Sequence, residues 1–173
     1  LETEYQEKNE TDESRFLQLQ EGDKIFKEYP DGFVWVMLNR HSCREEADAM
    51  GHCGNAGGYG GDRILSLRKK EVRDGETYYI PYLTFIYNPE KKLLGERKAR
   101  FNEKPAKRYH PYILDLLRMD MIQGMEPEGN QYAPENNFQY EDLSVEQREK
   151  LFKEKPILAI TDGAKLSESR YLI

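Results

Sequence analysis

Short apolar runs separated by turn-forming residues dominate the first two thirds of the chain. The runs cover 15–20, 24–28, 33–38, 64–68, 77–87 and, as a strand or a loop, 92–101. Pro, Gly, Asp and Asn residues typical of tight turns lie at 29–32, 73–76 and 88–90. Short strands joined by tight turns predict an antiparallel meander. Pro81, inside the longest run, indicates an edge position or a bulge.

Three further segments predict helices. One covers 43–50, because Ser42 is a favourable capping residue before it and Gly51 a natural stop after it. Residues 111–123 carry apolar side chains at helical spacing, and 144–153 predict a second C-terminal helix. Together the elements predict an α+β fold: a small antiparallel β-meander with one short helix inserted early and two C-terminal helices, flanked by extended arms.

Polar segments divide the 173 residues into expected units. These are a polar arm at 1–14, an α+β core domain at 15–123, a polar linker at 124–142, and a C-terminal helix and tail at 143–173. Charged residues make up 34% of the chain and the mean hydropathy is −0.90. Such a polar composition predicts a modest core with exposed arms.

Charge and composition narrow the classes of function. The net charge of −6 argues against coating nucleic acid through bulk charge, but the basic segment Lys91–Arg108 is a candidate nucleic-acid surface, or else a solvated face. Apolar runs are too short for a membrane span, and the first 14 residues do not resemble a signal peptide. Two cysteines cannot form a disulfide framework, so we expect the cytoplasm or a virion rather than secretion.

Both cysteines and two of the three histidines lie close together, just before a glycine-rich stretch at 54–61. They are His41, Cys43, His52 and Cys53. Two thiolates and two imidazoles are a ligand set that zinc accepts, although the adjacent side chains of His52 and Cys53 tend to diverge. The cluster therefore makes a structural zinc module one hypothesis; no other cofactor is expected.

The same cluster allows a nucleophilic site. Cys53 could act as the nucleophile with His41 or His52 as the base, beside backbone N–H groups of the glycine loop. Cys43 lies near the start of the predicted helix, where the helix dipole favours a thiolate. The alternative is that these side chains are structural, with buried thiols and a histidine that caps the helix.

A sequence pattern at the end of the helix predicted over 43–50 resembles one found in a known family. The stretch Glu46-x3-Met50-x-His52-Cys53-Gly54 resembles the E-G-x-x-M-x-H-C-V-G stretch of PcfJ-like proteins, which occur on mobile elements and in phages. The likeness continues over about residues 33–117. It includes ILSLR at 64–68, Pro81-x-x-Thr84-Phe85, and Gly95-x-x-Lys98-x3-Asn102. The acid that follows the Thr strand in that family is absent here, since Phe85, Ile86 and Tyr87 follow Thr84.

The resemblance implies a mobile-element or phage context and a shared pocket. Carried over, the pocket residues are Glu46, His52, Cys53, Ser66, Arg68 and Asn102. We expect a non-enzymatic binding or structural component of a phage or mobile-element assembly, with protein partners. The alternative is an enzyme whose His–Cys-centred pocket, with Glu46 and Arg68, acts on a phosphate-bearing or acyl substrate; Asn102 would be a further catalytic residue.

Overall fold

The protein forms one mixed β-sheet with helices on both faces. The computed structural model describes residues 13–39, 42–51, 61–126 and 134–161. The strands are β1 Lys24–Glu28, β2 Phe33–Met37, β3 Arg63–Arg73, β4 Glu76–Asn88, β5 Leu93–Ala99 and β6 Gly124–Met125. The helices are α1 Ser42–Met50, α2 His110–Leu117, α3 Val145–Glu154 and α4 Ile157–Thr161. The predicted α+β fold is confirmed.

The six strands follow one another across the sheet in chain order. Each pair from β1 to β5 is antiparallel, as the meander predicted. The last strand differs, because β6 pairs in parallel with β5 through Leu93–Gly124 and Leu94–Met125. A parallel neighbour needs a crossover connection, and the segment that contains α2 provides it.

Alternation along the strands separates two apolar clusters. One face of the sheet carries Trp35, Leu67 and Phe85, which pack with side chains of α2, α3 and α4 in the main core. The other face carries Val36 and Ile64, which form a smaller cluster beneath α1. Successive strand residues point to opposite faces, so the position of a residue along its strand decides which cluster it joins.

A bulge in β4 interrupts this alternation. Leu67 of β3 pairs with Leu83, but the next residue, Arg68, pairs with Pro81, which leaves Tyr82 as an extra residue. Tyr82 and Ile80 both belong to the main core. The bulge predicted from Pro81 is therefore confirmed.

The segment 124–142 is not a linker where the structure describes it. Gly124–Met125 is a strand, and Asn137, Phe138 and Tyr140 are buried. The reason is the buried Arg97, whose guanidinium donates to the carbonyl oxygens of Phe138 and Glu126. Backbone carbonyl groups of this segment thus accept hydrogen bonds inside the fold, although the amino-acid composition of the segment is typical of an exposed linker.

The ends of two other elements also differ from the prediction. Residues 15–20 do not form a strand; a 3-10 turn at Glu13–Arg15 leads to an isolated bridge between Leu17 and Tyr79. This segment lies along the part of β4 that β5 does not pair with. The helix predicted over 111–123 ends at Leu117.

Candidate functional site

A buried carboxylate in α1 is the centre of the polar cluster on the smaller face. Both Glu46 oxygens accept hydrogen bonds: Oε1 from Ser66 Oγ at 2.9 Å and from Arg68 Nη2 at 2.9 Å, and Oε2 from Thr84 Oγ1 at 2.6 Å. Arg68 Nε also donates to Ser66 Oγ at 3.2 Å. We call Glu46, Ser66, Arg68 and Thr84 the Glu46 network.

The strand register brings these side chains together. Ser66 of β3 pairs with Thr84 of β4, and Thr84 pairs with Lys98 of β5, so three polar residues lie side by side on one face. Arg68 is two residues beyond Ser66 and therefore shares that face. Helix α1 packs over β4 and places Glu46 above the row.

The Glu46 network is almost completely shielded from solvent. The side chains of Glu46 and Arg68 are each 1% exposed, and they form an ion pair at 2.9 Å. A buried charge costs free energy unless it is paired and hydrogen-bonded, which is how both Glu46 oxygens are placed. Among the described residues, Arg68 Nη1 is a buried donor that has no hydrogen-bond partner.

Cys43 is held as a thiol. Its Sγ donates to the carbonyl oxygen of Asn39 at 3.3 Å. Burial first, and then the negative charges of Glu46 and Asp23, raise the pKa of Cys43 to about 11, although Arg63 and Arg68 act in the opposite direction. The helix dipole expected to favour a thiolate at this position is outweighed, because the thiol is buried among carboxylates.

The other members of the His–Cys cluster, His41, His52 and Cys53, lie outside the described residues. Over the ranges that the structure describes, no group of three or more His, Cys, Asp or Glu side chains could hold a metal ion. The zinc hypothesis and the proposed nucleophile therefore stay predictions.

Asn102 lies near the end of α1 rather than in the Glu46 network. Its backbone carbonyl accepts from Asn136 Nδ2 at 3.0 Å. The preceding residue, Phe101, has its ring against Gly51, where a Cβ would lie 2.6 Å from the ring carbon Cδ1. Both Phe101 and Asn102 have a positive φ of 58°. The turn at Arg100–Asn102 thus faces Gly51, directly after the end of α1.

The basic segment Lys91–Arg108 does not form one continuous charged surface. Arg97 and Lys98 of β5 and Arg100 of the turn that follows it are buried. Lys98 pairs with Glu96 at 3.0 Å, and Lys104 pairs with Asp142 at 2.8 Å. The exposed basic residues are at the two ends of the segment, Lys91 and Lys92 at one and Lys107 and Arg108 at the other.

The residues brought together are largely those of the family-like pattern. Glu46, Ser66 and Arg68 were predicted pocket residues, and they are in contact. Thr84 was part of the quoted pattern but was not assigned to the pocket. Its spacing from Pro81 was the available signal, but its contact with Glu46 depends on the bulge and the register of β4.

Comparison of the chain with protein-family models, curated proteins and solved structures finds no match. The likeness to PcfJ-like proteins therefore rests on the quoted motifs alone. No helix in the described ranges is long and apolar enough to cross a membrane.

Proposed function

We propose that this chain is a non-enzymatic binding or structural component of a phage or mobile-element assembly. In this proposal the Glu46 network ties α1 to the sheet and does no chemistry. The assembly context comes from the resemblance to PcfJ-like proteins, and the non-enzymatic role comes from the geometry of Glu46.

One observation carries the proposal: both Glu46 oxygens are buried and already accept hydrogen bonds from three side chains. A general base must reach the proton of a substrate directly or through one water molecule. Glu46 would have to break its bonds to Thr84 or Arg68 first. The raised pKa of Cys43, caused first by burial, also argues against that thiol as a nucleophile.

The enzyme alternative has one observation in its favour. Arg68 Nη1 is a buried donor without a hydrogen-bond partner among the described residues. A phosphate or carboxylate oxygen of a substrate would satisfy such a donor. In that alternative Arg68 would orient the substrate, and Cys53 would attack it.

Unfolding measurements distinguish a structural role of the Glu46 network from the enzyme alternative. We expect Arg68→Met and Glu46→Leu each to lower the free energy of unfolding by about 3–5 kcal/mol, because each leaves a buried charge unpaired. The double variant should recover much of that loss. Trp35, the one tryptophan, reports unfolding of the sheet by its fluorescence in urea.

The matched control is the ion pair between Arg118 and Glu154, whose charged atoms lie 3.0 Å apart. Their side chains are 35% and 45% exposed. Arg118→Met should change the free energy of unfolding by at most about 1 kcal/mol. If Glu46→Leu instead leaves stability unchanged or raises it, the network is a strained functional site, and the structural assignment is wrong.

Alkylation tests the remaining thiol. In a Cys43→Ser variant, a catalytic Cys53 would react quickly with iodoacetamide near neutral pH, and the rate would follow a depressed pKa. We expect Cys53 to react no faster than an ordinary thiol at the same pH. Fast, pH-dependent alkylation would support the enzyme.

A further inference from the structure

An aromatic cleft lies on the main-core face of the sheet, away from the Glu46 network. Its volume is about 240 Å³. Residues of β2, β3, β4, the 3-10 turn Lys107–Tyr109 and the first turn of α2 line it: Phe33, Lys69, Tyr82, Arg108, Tyr109 and Tyr112. We call these residues the aromatic cleft.

The rings of the aromatic cleft are in contact with each other. The Phe33 centroid lies 4.8 Å from that of Tyr112 and 5.4 Å from that of Tyr82, and Tyr82 lies 5.9 Å from Tyr109. The bulge in β4 places Tyr82 here. Tyr29 extends the group, with its centroid 5.0 Å from that of Tyr112. The rings therefore hold one another in place; Tyr82 and Tyr109 are buried, and Phe33 and Tyr112 are the half-buried rings that a ligand could reach.

Cations border these rings. Lys69 Nζ lies 5.9 Å from the Phe33 centroid, and the Arg108 guanidinium carbon lies 5.0 Å from the Tyr109 centroid. Arg108 is exposed and Lys69 is half-buried. Both positive charges thus lie beside aromatic faces at the border between the cleft and solvent.

Two carboxylates accept hydrogen bonds from tyrosines of this region. Asp31 accepts a hydrogen bond from the Tyr112 hydroxyl, and Asp115 accepts one from the Tyr29 hydroxyl at 2.5 Å. Burial, followed by these carboxylates, raises the pKa of both tyrosines above its ordinary value, so the phenols stay neutral. Lys27 also faces Asp115, at 3.9 Å. The Tyr112 hydroxyl does not neutralise Asp31, but the charged residues that line the cleft itself are Lys69 and Arg108, so an anionic ligand inside it would meet these two cations.

We propose that the aromatic cleft binds single-stranded nucleic acid, with one base stacked on the rings of Phe33 and Tyr112 and the flanking phosphates at Lys69 and Arg108. This assignment rests on the proposed function, since it names the ligand class of a binding component. Aromatic faces beside cations are the combination that single strands use, because every base has a stacking face and every linkage a negative charge. The cleft is smaller than the ~300–1,000 Å³ of most small-molecule pockets, which suits one planar base.

Other occupants fit the chemistry less well. A cationic ligand such as methyl-lysine would meet two positive charges at the border of the cleft. A proline-rich peptide also docks on aromatic grooves, but it supplies no negative charge for Lys69 and Arg108. That peptide is therefore a competing outcome of the test.

The test is fluorescence anisotropy with labelled oligonucleotides of about 12 nucleotides, a length within the footprint of common single-strand binders. The probes are oligo-dT, oligo-U and a DNA duplex, at about 50 mM salt and then at higher salt. We expect both single strands to bind more tightly than the duplex, whose bases are already stacked. Comparison of the dT and U probes distinguishes DNA from RNA.

Matched variants test the cleft itself. Tyr112→Leu should weaken binding about 5- to 150-fold, the loss expected for one base–aromatic stack, whereas Tyr112→Phe should bind like the wild type. Lys69→Gln should weaken binding more than Lys70→Gln, because Lys70 pairs with Tyr79 on the other face of the sheet. Urea unfolding of each variant confirms that it is folded.

Several results would overturn the proposal. They are an absence of binding by the wild type, a duplex bound as tightly as the single strands, equal losses for Lys69→Gln and Lys70→Gln, or binding of a proline-rich peptide in place of the oligonucleotides. None of these would contradict the non-enzymatic role. Binding followed by cleavage of the oligonucleotide would support the cleft and contradict the non-enzymatic role.

Discussion

At the scale of single residues, His110 shows how the fold sets the protonation of a side chain. The imidazole is 4% exposed and packs edge-on against Phe138, with ring centroids 5.3 Å apart. Burial lowers the pKa of His110 below 6.5; Asp142 acts in the opposite direction, and Lys107 and Lys104 lower it further. Its place at the start of α2 also disfavours the imidazolium.

This lowered pKa predicts a pH dependence of stability. The unfolded chain binds a proton at His110 more readily than the folded protein does, so the free energy of unfolding falls as the pH drops below 6.5. Replacement by Gln removes the titrating group. Between about pH 7.5 and pH 5.5 the wild type should therefore lose more stability in urea unfolding than His110→Gln.

The comparison between the two proteins at both pH values cancels the titration of other groups. Equal losses for the wild type and His110→Gln would show that His110 titrates alike in the folded and unfolded states. The imidazole would then not be shielded from water as the structure has it.

At the scale of elements, the end of α2 is fixed by a lysine from a later part of the chain. Lys155 Nζ donates to the carbonyl oxygens of Leu117, Met119 and Ile122, at 2.8, 2.7 and 2.5 Å. The last carbonyls of a helix have no partner within it, and a cation is well suited to them. Lys155 thereby joins the region after α3 to the end of α2.

Lys155→Met should lower the free energy of unfolding by about 1–3 kcal/mol, because it leaves these carbonyls without their charged donor. Lys153→Met is the control: Lys153 is exposed on α3. The control should change stability by at most about 0.5 kcal/mol. Equal effects of the two substitutions, measured by urea unfolding, would mean that the lysine does not stabilise the end of α2.

At the scale of the whole molecule, the described part of the C-terminal region belongs to the same core as the sheet. Phe138, Tyr140, Leu151 and Phe152 are buried in the cluster that contains Trp35. Tyr140 and Phe152 pack edge-on, with centroids 4.9 Å apart. Residues 134–161 and the strands should therefore unfold together.

Phe152→Ala tests this joint unfolding, because Trp35 lies in β2 and reports on the sheet rather than on α3. The substitution should lower the free energy of unfolding measured by Trp35 fluorescence by about 3–5 kcal/mol. Val145→Ala, at a position that is 54% exposed on the same helix, should have an effect of at most about 0.5 kcal/mol. An unchanged Trp35 transition in Phe152→Ala would show that the C-terminal helices unfold separately.

Parts of the whole fold could be predicted from the sequence, and others could not. Strand β1 matches the predicted bounds because a polar segment precedes it and a Pro–Asp–Gly turn follows it. The packing of 134–142 was missed, because the buried contacts of Arg97 with carbonyl oxygens leave no trace in the apolar pattern. The parallel β6 was missed for a related reason, since two residues are too few to show a period.

The candidate sites were predictable to different degrees. The contact of Glu46 with Ser66 and Arg68 was expected from the family-like pattern, whereas Thr84 joins them only through the register of β4. The aromatic cleft was missed because Phe33, Lys69 and Tyr112 are far apart along the chain. They meet only once α2 is packed on the sheet.

The bulge in β4 has a consequence for how insertions and deletions would affect the chain. Pairing requires only one residue opposite each partner, so β4 carries one residue more than β3 needs between Pro81 and Leu83. A chain without Tyr82 would keep the register of both halves of the strand, and Thr84 would still pair with Ser66. It would lose the ring that packs against Phe33 and Arg15. In an alignment of related sequences, a single gap at position 82 would therefore mark chains that keep the sheet and lack the complete cleft.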